Sequence, residues 1–284
     1  MNRNLHAIRV GLHRGRTEMI LSLKSAQDQG SYLIMALASL GYLYLRRNTV
    51  IEGTDLSFPT LAMPSLLGSL IVFGLVMGPA GQLAMDREDG TLLRAKTAPG
   101  GMFGYVTSQI VLHSGSLIPT LLVLLVPGSL MFDGLMPAGA RGWLRLAWVL
   151  ALCVLAILPI GIVIGALVPG IQKLSTWGFL PVIVLAGISG IFYPIQALWG
   201  WLQAVAQVFP MYWVGLGMRS AFLPAEAATL ELGEAWRTAQ TAGVLGAWAI
   251  LGIVIAPIIL RKMARRQSGS TVEKAREQSA QYVR

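Results

Sequence analysis

The sequence predicts an all-α integral membrane protein with six transmembrane helices. Six stretches contain no Lys, Arg, Asp or Glu, namely 29–45, 56–85, 97–132, 146–172, 174–218 and 238–260. A helical span needs about 20 apolar residues, because inside lipid its backbone polar groups must be satisfied within the segment. The composition agrees, since 55% of the residues are hydrophobic and only 12% are charged. Such a chain is too apolar for a water-soluble globule.

The distribution of charge predicts the orientation of these spans. The net charge is +9, but the basic residues flank the apolar stretches instead of forming the single stripe typical of nucleic-acid binding. With a cytoplasmic N-terminus, the inner segments hold 16 Lys or Arg against 7 acidic residues, and the outer segments hold 6 of each; the inner segments are 1–28, 86–101, 169–176 and 261–284. The positive-inside rule therefore predicts a multi-pass protein of the plasma or inner membrane with both termini cytoplasmic.

The chain divides into three predicted parts: a cytoplasmic interfacial helix at 1–28, a six-span transmembrane domain at 29–260 and a basic cytoplasmic tail at 261–284. Apolar residues recur at helical spacing in the first part, at Leu5, Ile8, Leu12, Met19 and Leu23. This pattern favours a helix on the inner leaflet over a disordered basic tail, although Gly11 and Gly15 interrupt it. The single cysteine, Cys153, excludes a disulfide or cysteine metal site within one chain.

The fifth uncharged stretch, 174–218, is long enough for two spans. A second crossing would place the basic tail outside, so we predict one span from about Trp177 to Tyr193. Pro194 then ends the helix, a short amphipathic helix follows over 195–209, and Pro210 stops it. We expect this segment to be re-entrant or interfacial on the outer face, with Trp199 and Trp201 near the headgroups. An ordinary loop with an aromatic belt is the alternative.

The inner loop between spans two and three is dense in charge of both signs. Its sequence is Asp86-Arg87-Glu88-Asp89-Gly90-Thr91-Leu92-Leu93-Arg94-Ala95-Lys96-Thr97-Ala98-Pro99-Gly100. Thr91 is predicted to cap a short helix from Leu92 to Thr97 that exposes Leu92 and Leu93, and Pro99-Gly100 ends it. This pattern indicates contact with another protein, whereas most charge runs are solvated loops.

Two motifs in this layout resemble the ABC type-2 permeases, the membrane subunits of exporters of the daunorubicin-resistance kind. The first is Arg87-Glu88-Asp89-Gly90-Thr91-Leu92 with Pro99. The second lies about a hundred residues downstream and comprises Ser189-Gly190-Ile191-Phe192-Tyr193-Pro194, Trp201-Leu202-Gln203, Phe209-Pro210 and Arg219. The chain departs from the family at Asp86, where Glu is frequent, and at Gly200, where Pro is common.

The resemblance implies a cytoplasmic coupling helix at 86–99, which would seat in a cleft of a separate ATPase subunit. The implied coupling residues are Asp86, Arg87, Glu88, Gly90, Thr91, Leu92, Leu93 and Pro99. The implied outer-gate or re-entrant residues are Gly190, Phe192, Tyr193, Pro194, Trp201 and Pro210. The implied assembly has two ATPase copies and a second permease chain, as a homodimer or heterodimer, among membrane lipids and without nucleic acid.

Energy for transport is expected to come from that partner. The sequence contains no G-x-x-x-x-G-K-[ST] phosphate loop, so we expect no ATPase activity, cofactor or metal in this chain, with ATP and Mg²⁺ on the partner. His113 falls inside span three, where it either lines a substrate path or makes a neutral hydrogen bond to a neighbouring helix.

Two other functions are weighed against export. Gly187-Ile188-Ser189-Gly190 matches the G-x-S-G pattern of rhomboid-type serine proteases, but every histidine precedes the serine, which is the wrong order for the catalytic base. A non-transporting six-span scaffold that docks a partner through 86–99 is the alternative function. For an exporter, the absence of charge in the spans favours a hydrophobic or amphipathic cargo such as a drug, polyketide or lipid, hence multidrug export and antibiotic resistance.

Overall fold

The computed structural model describes residues 3–49, 56–98, 100–132, 134–137, 139–168, 170–191 and 195–266. Within these ranges the regular structure is helical, without β-strands. The helices are α1 Arg3–Lys24, α2 Ala26–Leu45, α3 Phe58–Glu88, α4 Thr91–Thr97, α5 Gly101–Met131, α6 Gly139–Leu167, α7 Ile171–Ile188, α8 Gly200–Val208, α9 Pro210–Phe222 and α10 Thr238–Arg266. Short 3₁₀ turns at Ile195–Ala197, Ala225–Leu230 and Leu232–Glu234 connect the later ones.

Five of these helices, α3, α5, α6, α7 and α10, have the length and hydropathy of membrane spans. The first predicted span, 29–45, forms the 20-residue helix α2 but is not among the five. Its first turns carry Gln27, Asp28 and Gln29, which lower its hydropathy. The chain is therefore a multi-pass helical membrane protein, and the sixth crossing stays a prediction.

The boundaries of two predicted spans differ from the structure. Helix α6 begins at Gly139, seven residues before the uncharged stretch, and its Arg145 donates a hydrogen bond to the Ser220 carbonyl at 3.0 Å. Helix α7 begins at Ile171 instead of Trp177, and it contains a π-helical turn at Leu174–Gly178. Flanking polar residues are thus part of the N-terminal ends of both helices, whereas α7 ends at Ile188, five residues before the predicted end at Tyr193.

The stretch 174–218, which is long enough for two spans, contains one candidate span among its described residues. After α7 come α8, with 9 residues, and α9, with 13 residues. Both are shorter than the roughly 20 residues that a crossing needs. Every side chain of α9 is buried in the protein, so this helix enters the bundle without having the length to traverse a bilayer.

Helix α3 forms the centre of the bundle and packs against α5, α6 and α9. Its approach to α6 depends on glycine: a Cβ on Gly165 would lie 2.8 Å from the Ala80 Cα, and one on Gly161 would lie 2.9 Å from the Leu75 carbonyl oxygen. Small residues let membrane helices approach closely. By contrast, Gly187 has no heavy atom within 4 Å of its Cβ position, so it does not serve such a contact.

Candidate functional site

The turn between α3 and α4 is made by a glycine in the left-handed conformation. Gly90 has φ +81°, a region that residues with a Cβ adopt at a cost. The Asp89 Oδ1 accepts a hydrogen bond from the Thr91 amide at 2.8 Å. The predicted cap at Thr91 is wrong, because Thr91 is already the first helical residue and Gly90 occupies the cap position without a side-chain bond. A carboxylate one residue before the glycine supplies the contact instead.

The short helix α4 lies where 92–97 was predicted, but its apolar side faces the protein. Leu92 is 0% exposed and belongs to the main hydrophobic core, so the prediction that it is exposed is wrong. Leu93 is half-buried, whereas Arg94 and Lys96 are exposed. Leu92 therefore anchors this seven-residue helix to the bundle. The solvent-exposed side of α4 is largely basic.

Two further predicted coupling residues also face inward. Asp86 is 3% exposed; its Oδ1 accepts a hydrogen bond from Gln82 Nε2 at 3.2 Å, and its Oδ2 lies 3.7 Å from Arg14 Nη2. Arg87 is half-buried and donates a hydrogen bond to the Gly165 carbonyl at 3.4 Å. These two side chains therefore join the end of α3 to α1 and α6. Of the predicted set, Glu88 and Leu93 are partly accessible, and Pro99 lies outside the described residues.

Helix α1 packs lengthwise against the first half of α5 through the glycines that interrupt its apolar pattern. A Cβ on Gly11 would lie 2.9 Å from Thr107 Cβ, and one on Gly15 would lie 2.8 Å from Val111 Cβ. Ala7 is buried at the same interface, beside Gly104. The spacing of Ala7, Gly11 and Gly15 at every fourth residue was the signal for this contact. The position of α1 on the inner leaflet stays a prediction.

Of the predicted outer-gate residues, Gly190, Trp201 and Pro210 lie within the described residues. Gly190 has φ +70° and lies beside Ile195, while Phe192, Tyr193 and Pro194 are outside the described residues. Trp201 on α8 is 61% exposed. Pro210 follows the end of α8 as predicted, and it also begins α9 as its buried first residue, a position that suits proline.

The Ser189 hydroxyl is engaged by the backbone at this helix end. It donates a hydrogen bond to the Ala186 carbonyl at 2.7 Å and accepts one from the Ile191 amide at 3.4 Å. His113, on α5, has its hydrogen bond to Gln109 instead. The serine therefore stabilises the end of α7, which agrees with the rejection of a protease.

A buried ion pair behind the outer segment was missed by the sequence analysis. Arg219 of α9 is 8% exposed and pairs with Glu231, 6% exposed, with Nη2 and Oε2 3.0 Å apart. The same guanidinium donates hydrogen bonds to Ser65 Oγ at 3.2 Å and to the Gly190 carbonyl at 3.3 Å. Arg219 thus joins α9 to α3, to the end of α7 and to the following loop. The place of Arg219 in the second family motif indicated that this residue matters. The sequence did not identify Glu231 as its partner.

A cavity of about 1040 Å³ lies between α1, α2, α3 and α5, with Phe179 of α7 at its border. Its surface is largely apolar, with Ser, Thr and Gln side chains interspersed. His113 lines the cavity, and its ring packs against Gly78 of α3 while Nε2 lies 3.1 Å from Gln109 Oε1. The hydrogen bond is within α5, so the predicted bond to a neighbouring helix is not the one observed. A chamber of this size accommodates a drug-sized molecule.

No group of three His, Cys, Asp or Glu side chains within the described ranges could hold a metal ion. The candidate functional features are the turn between α3 and α5, which contains α4, and the cavity. Both involve α3 and α5, because α4 connects these two helices and residues of both line the cavity.

Comparison with known proteins assigns the chain to a family. A family model described as ABC-2 type transporter matches residues 28–223, which is more than half of the chain and runs from α2 to the end of α9. A comparison with curated proteins gives no match.

Proposed function

Because the chain belongs to the ABC-2 type transporter family, and is thus the membrane permease subunit of an ABC transporter, we propose that it exports a hydrophobic or amphipathic compound. A drug, polyketide or lipid would fit this description, and resistance to a toxic compound would follow from its export. The observation that carries the proposal is the family match over 28–223. The scaffold alternative gains no support from it.

The family implies a partnership with an ABC ATPase, and we propose that α4 receives the motion of that subunit. The solvent-accessible side of the turn carries the charged residues Glu88, Asp89, Arg94 and Lys96. Charged groups of this kind suit a polar protein interface. Leu92 has the different role of anchoring α4 to the bundle. We further propose two ATPase subunits carrying ATP and Mg²⁺, and a second permease chain.

The cavity supports a substrate path within the protomer. It is enclosed by α3 and α5, the same helices that α4 connects, so a shift of α4 would alter its walls. Proline residues inside these helices, Pro79 and Pro119 among them, remove backbone hydrogen bonds and permit local bending. His113 is proposed to line the path as a neutral hydrogen-bonding group.

Export is tested by reconstituting the full chain with its ATPase partner in inverted vesicles. We expect ATP-dependent accumulation of a lipophilic dye inside the vesicles, and none with an ATPase variant that cannot hydrolyse ATP. A pair that binds and hydrolyses ATP but moves none of a panel of lipids, lipophilic dyes and polyketides would contradict the proposed function.

The isolated chain is expected to hydrolyse no ATP, because it lacks a phosphate-binding loop. Phosphate release is measured on the full chain purified without its partner, and the reconstituted pair provides the positive control. ATP hydrolysis that co-elutes with the pure chain would show that the energy source is not a separate subunit.

Six alternating spans with cytoplasmic termini predict which residues face each side. Single cysteines in a Cys153→Ser background should react with an impermeant maleimide from outside at positions 52, 133 and 226, and from inside at positions 90, 173 and 270. The native thiol is 0% exposed, so its removal eliminates only a background signal. Labelling of position 270 from outside would overturn the six-span arrangement.

A further inference from the structure

One end of the cavity between α1, α2, α3 and α5 is acidic. Glu18 and Asp28, which flank the junction of α1 and α2, both line it, and no Lys or Arg is among its lining residues. The sequence suggested a path without charge because both acids precede the first uncharged stretch. Packing of α1 and α2 along α5 brings them to a chamber whose other walls come from transmembrane helices.

Arg14, which forms an ion pair at this end, does not neutralise it. Arg14 Nε lies 2.7 Å from Glu18 Oε1, and Arg14 Nη2 lies 3.7 Å from Asp86 Oδ2. One guanidinium thus serves two carboxylates, and among the described residues Asp28 accepts a neutral hydrogen bond from Ser22 Oγ at 2.6 Å. The formal charge of Arg14, Glu18 and Asp28 together is therefore negative, in surroundings where screening by water is reduced.

One carboxylate oxygen that borders the cavity also lacks a partner. Within the described ranges, Glu18 Oε2 is a buried acceptor without a hydrogen bond, while Glu18 Oε1 pairs with Arg14. A buried carboxylate oxygen without a donor costs free energy, which a bound cation or ammonium donor would recover.

Aromatic side chains complete the chemistry of the wall. Tyr32 of α2, Phe73 of α3 and Phe179 of α7 line the cavity, and the rings of Phe73 and Phe179 are 5.7 Å apart between centroids. Aromatic faces attract cations, and they also stack on flat apolar groups. Leu66, Leu70 and other aliphatic residues fill the surface between them.

We propose that this cavity binds an amphipathic organic cation, with its positive group at Glu18 and Asp28 and its apolar body between α3 and α5. The inference rests on the proposed export function, and it narrows the cargo from hydrophobic compounds in general to lipophilic amines and related cations. Neutral lipids and anionic compounds would leave the carboxylates without a counter-charge.

Binding of two matched ions to the purified full chain tests this assignment. Tetraphenylphosphonium and tetraphenylborate have nearly the same size and shape but opposite charge. Affinities for both are measured in the same detergent for wild type, for the Glu18→Gln/Asp28→Asn variant and for Glu226→Gln, which neutralises an exposed acid far along the chain from the cavity residues. The two ions partition differently into detergent, and this effect cancels when the affinity of each variant for an ion is compared with that of wild type.

We expect the double variant to bind tetraphenylphosphonium about tenfold more weakly and tetraphenylborate with unchanged or higher affinity. The Glu226→Gln variant should match wild type for both ions. If the double variant is unstable, the single variant Asp28→Asn takes its place, because it keeps the Arg14–Glu18 pair. It should lose affinity for tetraphenylphosphonium by a smaller factor.

Equal losses for both ions, or no loss for either, would overturn the proposal. Because binding is measured without the ATPase, failure here leaves the export function standing. Conversely, an inactive vesicle assay with intact cation selectivity would refute export and keep the site.

Discussion

ATP-driven export is expected to fall to background when Gly90 is replaced by proline, although the chain still inserts in the membrane. Proline holds φ near −65°, whereas Gly90 has φ +81°, so the turn from α3 into α4 cannot form in its native shape. Leu92 would lose its buried position, and the solvent-exposed side of α4 would no longer be positioned to contact the ATPase. Glu88→Arg should weaken coupling through charge alone, by reversing one group on the docking face.

Both variants are co-purified with the ATPase, and ATP turnover and export are then measured in vesicles. Gly246→Ala, in α10 with no heavy atom within 4 Å of its Cβ position, controls for glycine replacement, and Glu226→Arg controls for charge reversal. Unchanged partner binding and full export by Gly90→Pro and Glu88→Arg would show that 86–99 is a solvated turn without a coupling role.

Replacing Arg219 by methionine is expected to destabilise the folded chain by about 3–5 kcal/mol, because it leaves the Glu231 carboxylate buried without its counter-ion. Ser65 Oγ and the Gly190 carbonyl lose a donor at the same time. The double variant Arg219→Met/Glu231→Met removes both charges, and it should recover most of the loss.

The free energy of unfolding is measured by denaturant titration in mixed micelles, with Arg141→Met as the matched replacement of an exposed arginine. A single variant as stable as Arg141→Met, or a double variant no more stable than the single one, would show that the pair does not stabilise this end of the bundle. Measuring Glu231→Met as well completes a double-mutant cycle, whose coupling energy separates the ion pair from the hydrogen bonds to Ser65 and Gly190.

The sequence determined the class of the protein and the positions of its main elements. Runs of uncharged residues predict spans because the cost of a polar backbone in lipid is local to each segment. The short helix at 92–97 was predictable for the same reason, since glycine acts on the backbone next to it, although the predicted cap at Thr91 is wrong. The resemblance in 86–99 and 189–219 led to the family that the comparison confirms.

Only the tertiary structure decided which side of each helix packs against the rest of the protein. Leu92 faces the core because α4 folds back onto the bundle, and Gly11 and Gly15 become a packing surface because α5 lies beside them. The Arg219–Glu231 pair and the acidic end of the cavity join residues from separate elements. Their proximity depends on how helices pack, and the physical chemistry of one segment does not contain that information.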